Sequence, residues 1–159
     1  MAATWVLVAD RARARLFEWL PPSPQPGEAS RPVLMELADI AAPEGRLRPR
    51  DIEADRLPST HAPFGPGSHA IEPRTQPQDR QRARFARELC DLLEDNRLAG
   101  RFESLVLVAS PRFLGALNSA MDRPLRRCVA TQVARELVEA DQARLMAAIG
   151  VRPASTIRP

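Results

Sequence analysis

The sequence contains no lysine and no tyrosine, and aromatic residues make up only 4% of its 159 residues. A core with few rings must rely on Leu, Val and Ala, and the 44% hydrophobic content supplies enough of them. That content excludes an intrinsically disordered chain. All 23 basic residues are arginines, set against 20 acidic residues, so the net charge is +3. This small charge excludes a histone-like polycation but leaves room for RNA or another anionic partner.

Several motifs of known chemistry are also missing. The sequence has no G-x-G-x-x-G or P-loop phosphate motif, no G-x-S-x-G nucleophile elbow and no two adjacent glycines. We therefore expect no catalytic residues and no cofactor, and an enzyme is the less favoured interpretation. Cys90 and Cys128 stand alone in apolar segments that we predict as helix and strand. Such thiols commonly act as small buried hydrophobes.

No pair of residues has the spacing typical of a metal site. His61 and His69 lie in a stretch that also contains acidic residues, but no ligand motif connects them. We therefore expect no metal. We keep His69 and Glu72 as candidate site residues of this stretch.

The sequence also lacks an apolar run long enough to span a membrane. Its first apolar run, residues 2–9, ends at Asp10 and has no basic region before it, unlike a secretory signal peptide. From the sequence we expect no membrane span and a cytoplasmic location.

The first 41 residues predict a β-meander. Residues 4–9 (TWVLVA) are typical of a strand buried on both faces, and residues 15–20 resume the apolar pattern after a short polar break. That arrangement predicts a hairpin. Residues 33–41 favour a third strand over a short helix. The alternating arginines at 11, 13 and 15 are then interpreted as solvated residues in or beside the turn rather than as a basic site.

The rest of the chain alternates between helical and strand patterns. In chain order the predicted elements are helix 78–99, strand 104–109, a helix from 110 to about 121, strand 128–134 and helix 136–149. We predict one α/β domain over residues 1–150, with a mixed five-stranded sheet and three helices. A long Pro-rich loop at 43–77 and a flexible tail at 151–159 complete the prediction.

Three arginines cluster on one side of the first predicted helix, near its amino end. Arg80, Arg84 and Arg87 lie at the positive end of the helix dipole, so helix stability does not account for them. One interpretation is a contact with an anion or with RNA phosphates. The alternative is a solvated face with weak i,i+4 ion pairs to the acidic residues farther along.

A second candidate site lies in the sequence VASPRFLGAL, residues 108–117. A strand ends there and a helix begins at Ser110, which leaves free N–H groups near Arg112 that can hold a phosphate or carboxylate. The alternative is ordinary helix capping by Ser110 and Pro111.

Five stretches of the chain resemble, in order, the bacterial host attachment protein family. They are WVLVADRARARLFE (5–18), SHAIEPRTQP (68–77), RARFARELCDLLE (82–94), LVLVASPRFLGALNSAM (105–121) and VARELVEADQARLMAAI (133–149). The resemblance covers nearly the whole chain, and the opening stretch and ASPRFLGAL are its most specific parts. The family in turn resembles the middle domain of archaeal and eukaryotic release factors and of Pelota.

This resemblance implies a ribonuclease-H-like mixed sheet and a non-catalytic, cytoplasmic domain that contacts the ribosome or RNA. The Gly-Gly-Gln of release factors has no counterpart here, so peptidyl-tRNA hydrolysis is not implied. One alternative is a direct or indirect role in attachment to host cells without nucleic-acid binding. Another is a small-anion or phosphate-binding enzyme. The oligomeric state is not predicted.

Overall fold

Five strands form a single sheet in the computed structural model, which describes residues 3–22, 31–43 and 77–150. The strands are β1 (Thr4–Ala9), β2 (Arg13–Leu20), β3 (Val33–Ala41), β4 (Ser104–Ala109) and β5 (Val129–Ala134). Their order across the sheet is β3-β2-β1-β4-β5. Strands β1, β2 and β3 pair antiparallel as a meander, whereas β1, β4 and β5 run parallel. The mixed five-stranded sheet confirms the predicted fold class.

The hairpin between β1 and β2 is closed by the Asp10 side chain. One oxygen of Asp10, Oδ1, accepts hydrogen bonds from the backbone amides of Ala12 and Arg13, each at 2.8 Å. The Asp10 amide in turn donates to the Arg13 carbonyl at 2.8 Å. An aspartate that binds its own turn in this way is a common device for tight turns. The predicted hairpin is therefore confirmed, and β2 begins two residues earlier than predicted.

The two faces of the sheet carry separate cores. Four helices cover them in the described part of the chain: α1 (Pro77–Leu98), α2 (Pro111–Ala120), α3 (Arg123–Cys128) and α4 (Gln142–Ile149). The larger core joins the leucines of β1 and β4 to buried residues of α1, α2 and α3, including Phe85, Leu89, Phe113, Leu117 and Leu125. The smaller core joins the valines of the same strands to Phe17, Leu34, Leu145 and Ile149. Because both faces are covered, the central strands are apolar throughout.

The last helix is shorter than predicted. It begins at Gln142 rather than at residue 136, and Leu137, Val138 and Ala140 contribute to the smaller core outside any helix. Two backbone carbonyls of this segment, those of Val138 and Ala140, accept hydrogen bonds from Arg15 at 3.1 and 3.0 Å. The helix starts only after Asp141, whose side chain accepts a hydrogen bond from the Arg144 amide.

The short helix α3 is absent from the sequence prediction. Pro124 lies in its first turn, where a missing N–H costs nothing because those amides have no partner within the helix. The preceding helix α2 ends at Ala120, close to its predicted end near residue 121. Cys128 is consequently the last residue of α3 and not a strand residue as predicted, and β5 starts one residue later.

Glycines follow two of the helices. Gly100 follows α1 with φ of +73°, and Gly150 follows α4 with φ of +88°, both in the left-handed region that favours glycine. Most of the predicted loop at 43–77, together with His61, His69 and Glu72, lies outside the described residues, as does the predicted tail. Among the helices that the structure describes, none is long and apolar enough to cross a membrane.

Candidate functional site

The three parallel strands end at one edge of the sheet. The last residues of β1, β4 and β5, which are Ala9, Ala109 and Ala134, lie side by side in the register. Strands β1 and β4 are neighbours in the sheet. After β1 the chain continues to β2 on one side of this pair, and after β4 it continues to β5 on the other side. Such a reversal between neighbouring parallel strands opens a crevice at their carboxyl ends, where open α/β sheets bind ligands.

A cavity of about 600 Å³ lies at this edge, a volume typical of small-molecule sites. We call it the arginine cavity. It is lined by Asp10, Arg11, Gln78, Arg82, Ser110, Pro111, Arg112, Phe113 and Glu136. Its three arginines come from the hairpin turn, from α1 and from the start of α2, so the fold brings together charges that are far apart in the chain.

The start of α2 contributes a free backbone amide to the arginine cavity. The Ser110 hydroxyl accepts the hydrogen bond of the Phe113 amide at 3.3 Å, and the Leu114 amide donates to the Ser110 carbonyl at 2.8 Å. Pro111 has no N–H to donate. The first amides of a helix lack partners within it, so the Arg112 amide stays available to an anion. Ser110 and Pro111 therefore cap the helix, and the capping leaves one donor unused.

Two arginines of the cavity have no partner among the described residues. The side chains of Arg11 and Arg112 are exposed and take part in no described ion pair or hydrogen bond. Arg82, by contrast, is largely buried and donates to Asp79 on its own helix. The carboxylate of Glu136, on the same cavity wall, is also without a partner there. The cavity thus presents unpaired groups of both signs.

The other two arginines of the hairpin have structural roles. Arg13 donates to Asp39 on β3 at 2.9 and 2.7 Å and to Glu139 at 2.9 Å. Its guanidinium holds the pKa of Asp39 below the ordinary value, chiefly through the hydrogen bond. The interpretation of these residues as solvated turn arginines is therefore wrong for Arg13, because it lies on β2 and is paired.

Arg15 is held even more firmly than Arg13. It donates to Glu36 at 2.8 Å as well as to the carbonyls of Val138 and Ala140, and its guanidinium lies 4.9 Å from the centre of the Phe17 ring. Its side chain is only 17% exposed, so the solvated interpretation is wrong here too. Since the two carbonyls follow closely after Glu136, Arg15 fixes the segment that forms one wall of the cavity.

The structure separates the site residues predicted from the sequence into two groups. Ser110 and Arg112 both line the arginine cavity. Arg80, Arg84 and Arg87 do not, because successive helix residues turn by about 100° and these three lie opposite the buried face of α1. All three are exposed, and Arg84 has an interaction of its own. We call them the outer arginines of α1.

Sequence reasoning missed Arg82, and it interpreted Arg11 as a solvated turn residue rather than as part of a site. Arg82 precedes the buried Phe85 by three residues, so it lies on the apolar side of α1, where an arginine needs a polar environment. That position is a usable signal. No comparable signal exists for Arg11, because its place in the cavity depends on how β1 and β4 pair.

Neither cysteine belongs to the site. Burial raises the pKa of Cys90 to about 12, and its thiol lies 3.7 Å from the Leu117 carbonyl. Cys128 is partly buried, and burial also raises its pKa. Across the residues described here, no three His, Cys, Asp or Glu side chains gather where they could hold a metal ion.

The family described as "Protein required for attachment to host cells" matches residues 5–149. The chain belongs to this family. No curated protein matches it.

Among solved structures, three matches have low identity and TM-scores below 0.5. One, titled "Archaeal protein", is 15% identical with a TM-score of 0.47. The match covers 95% of this chain and 35% of that protein's chain. An archaeal translation termination factor is 12% identical, with a TM-score of 0.43 and coverage of 84% and 30%. A Ppx/GppA phosphatase of Aquifex aeolicus is 11% identical, with a TM-score of 0.36 and coverage of 84% and 36%. The chain spans about a third of the length of each.

Proposed function

We propose that this member of the host attachment family is a non-catalytic, cytoplasmic binding domain that contacts RNA or the ribosome through phosphate groups. The observation that carries the proposal is the convergence of Arg11, Arg82 and Arg112 on one cavity beside the start of α2. Arginine presents planar donors that match phosphate oxygens, and a helix start adds an amide and the positive end of a dipole. These donors come from the hairpin turn and from the two helices α1 and α2, so the fold itself brings their backbones together.

The outer arginines of α1 offer a second surface for the same kind of ligand. Arg80 and Arg87 are exposed and lie on the side of a 22-residue helix that faces away from the sheet. Arg80 lies in the first turn of α1, where a positive charge does not stabilise the helix, and Arg87 lies near the middle of the helix. Contacts to a nucleic-acid backbone from this surface would add affinity without sequence preference.

Two matched double variants compare the surfaces. One carries Arg11→Ser and Arg112→Ser, and the other carries Arg80→Ser and Arg87→Ser, so each removes two exposed arginines and the same charge. Full-length protein is sedimented with ribosomes and total RNA on gradients at low and high salt. We expect the wild type to co-sediment at low salt and to be released as salt rises, since phosphate contacts release counterions. The cavity variant should lose most of this binding and the outer variant less.

Two results would overturn the proposal. Slow sedimentation of the wild type at every salt concentration removes RNA and the ribosome as partners. Equal binding by the wild type and the cavity variant removes the arginine cavity from the interface. Thermal unfolding of both variants serves as a control for folding.

The description of the family supports a second candidate, a direct or indirect role in attachment to host cells without nucleic-acid binding. Cell fractionation separates the two, because a protein confined to the cytosol does not itself act as an adhesin. A strain that lacks the protein and attaches poorly, combined with a cytosolic location, would favour an indirect role.

A phosphate-binding enzyme is the third candidate, and Asp10 and Glu136 on the wall of the arginine cavity are the observation that favours it. Carboxylates beside a bound phosphate can act as general acids or bases. Release of inorganic phosphate from phosphate monoesters by the wild type, lost in Glu136→Ala, would support this candidate over a binding domain.

A further inference from the structure

A second cavity adjoins the arginine cavity, and acidic residues outnumber basic ones in its lining. It has a volume of about 310 Å³, and its charged lining residues are Asp10, Glu136, Glu139 and one arginine, Arg144. Glu139 is already paired with Arg13, which leaves Asp10 and Glu136 as its unpaired carboxylates among the described residues. We call it the acidic cavity. Asp10 and Glu136 line both cavities, so the two meet at this pair of carboxylates. A ligand in the arginine cavity therefore has carboxylates beside it on one side.

The opposite charges at this junction do not neutralise one another. In the described part of the chain no ion pair joins Arg11 or Arg112 to Asp10 or Glu136. Asp10 uses Oδ1 for the hairpin turn, and no described group binds its second oxygen. The site thus keeps two unpaired arginines, Arg11 and Arg112, beside the unpaired carboxylate oxygens of Asp10 and Glu136.

Ionised carboxylates constrain the part of a ligand that lies next to them. They accept hydrogen bonds and donate none, and they repel a second anionic group. A bare phosphate would contact the arginines and leave the exposed carboxylate of Glu136 to water. A phosphate ester whose alcohol part carries hydroxyl groups would satisfy both ends of the site.

We propose that the site binds a ribose phosphate, with the phosphate in the arginine cavity and the sugar hydroxyl groups on Asp10 and Glu136. This inference rests on the proposed function. Carboxylates at the carboxyl edge of parallel sheets are well suited to ribose hydroxyls. The aromatic ring in the lining, Phe113, is only 1% exposed and offers no face for a base to stack on. Recognition is therefore of sugar and phosphate, from a free sugar phosphate or from the 5′ end of an RNA.

The test uses three probes that share a phosphate and differ in hydroxyl groups. Full-length protein is titrated calorimetrically with inorganic phosphate, ethyl phosphate and ribose 5-phosphate. We expect ribose 5-phosphate to bind about tenfold more tightly than ethyl phosphate, as hydrogen bonds to a carboxylate would give. Glu136→Ala should abolish most of this difference and leave ethyl phosphate bound at least as tightly. Glu88→Ala, which removes an exposed carboxylate on the outer side of α1, is the matched control.

The outcomes separate this inference from the proposed function. Equal affinity for ethyl phosphate and ribose 5-phosphate overturns the ribose preference and leaves the phosphate site standing. Binding of none of the three probes removes the phosphate site as well. Binding that requires added Mg²⁺ and is as tight for ethyl phosphate as for ribose 5-phosphate would assign Asp10 and Glu136 to a cation, which also overturns the inference.

A further arm identifies the source of the ribose phosphate. A 5′-phosphorylated tetraribonucleotide is compared with ribose 5-phosphate on the same protein. Tighter binding of the oligonucleotide, weakened by Glu136→Ala, assigns the site to an RNA end. Tighter binding of ribose 5-phosphate assigns it to a free sugar phosphate.

Discussion

Arg15 and Arg11 lie four residues apart in one hairpin and have opposite surroundings. Arg15 donates to a carboxylate and to two carbonyls that are 123 and 125 residues away in sequence, and its side chain is largely covered. Arg11 lies in the turn, exposed, on the wall of a cavity and without a described partner. An arginine whose N–H groups are hydrogen-bonded to other protein groups stabilises the fold, whereas an arginine without such partners is available to bind a ligand.

The same contrast holds for α1. Arg82 is largely buried and paired with Asp79, yet it also borders the arginine cavity. Arg80 and Arg87 are exposed on the outer side of the same helix. Residue type and position near the helix start do not distinguish these arginines, and the tertiary neighbours do. Substitutions that remove one kind of arginine at a time can therefore separate stability from binding.

The largest expected effect belongs to Arg15. Arg15→Ala should lower the free energy of unfolding by about 2 to 3 kcal/mol, because it leaves the carbonyls of Val138 and Ala140 without their donor. Urea unfolding of both proteins measures the difference. Arg15→Lys retains the charge but not the planar set of guanidinium N–H donors. We expect it to recover less than half of the lost free energy of unfolding. Full stability in Arg15→Ala would show that the hairpin and the 137–140 segment do not depend on this residue.

The pair Arg11→Ser and Arg112→Ser should behave in the opposite way. We expect the affinity for ribose 5-phosphate to fall by about thirtyfold, since charge-assisted hydrogen bonds are lost. The urea midpoint should stay within the error of the wild type, because neither side chain has a described partner. A stability loss as large as that of Arg15→Ala would contradict the division between the two kinds of arginine.

Arg13 should give a smaller effect that depends on pH. Arg13→Ala should cost about 0.5 to 1 kcal/mol at neutral pH, because its partners Asp39 and Glu139 are substantially exposed to solvent and salt. The lowered pKa of Asp39 means that its pairing stabilises the fold above the unfolded-state pKa and is lost as pH falls through the folded-state value. The difference between wild type and variant should therefore shrink in acid. Unfolding curves across the acidic range would show a constant difference if the pair contributed nothing.

The smallest expected effect belongs to the outer arginines. Arg80→Ser and Arg87→Ser together should leave the affinity for ribose 5-phosphate unchanged and shift the free energy of unfolding by less than about 0.5 kcal/mol. The same titrations and urea curves measure both quantities. A loss of sugar-phosphate binding in this variant would place the ligand on α1 rather than in the arginine cavity.

Most of the fold can be predicted from the sequence because its signals are local. Two apolar runs predict β1 and β4, and the polar break that begins at Asp10 predicts the turn of the hairpin. The Ser-Pro pair predicts the start of α2. The start of α4 could not be predicted in this way. Residues 137–140 have an apolar pattern that suits a helix, and a contact with Arg15 more than a hundred residues away keeps them out of one.

The candidate site could be predicted only in part, for the same reason. Ser110 and Arg112 follow from a local strand-to-helix signal. Arg11 and Glu136 join them only because β1, β4 and β5 end side by side, and strand order is not visible in local periodicity. The prediction of the outer arginines came from charge clustering, which records where charges lie along a helix and not what they face.

Asp10 links two features described separately above, since one of its oxygens closes the hairpin and its side chain borders both cavities. The turn and the cavity wall are therefore a single mechanical unit. Fraying of the hairpin would release the amides of Ala12 and Arg13 and dismantle the cavity wall in the same event. The hydrogen-exchange rates of these two amides therefore report how often the wall of the arginine cavity opens, and a ligand bound there would slow the exchange of both amides.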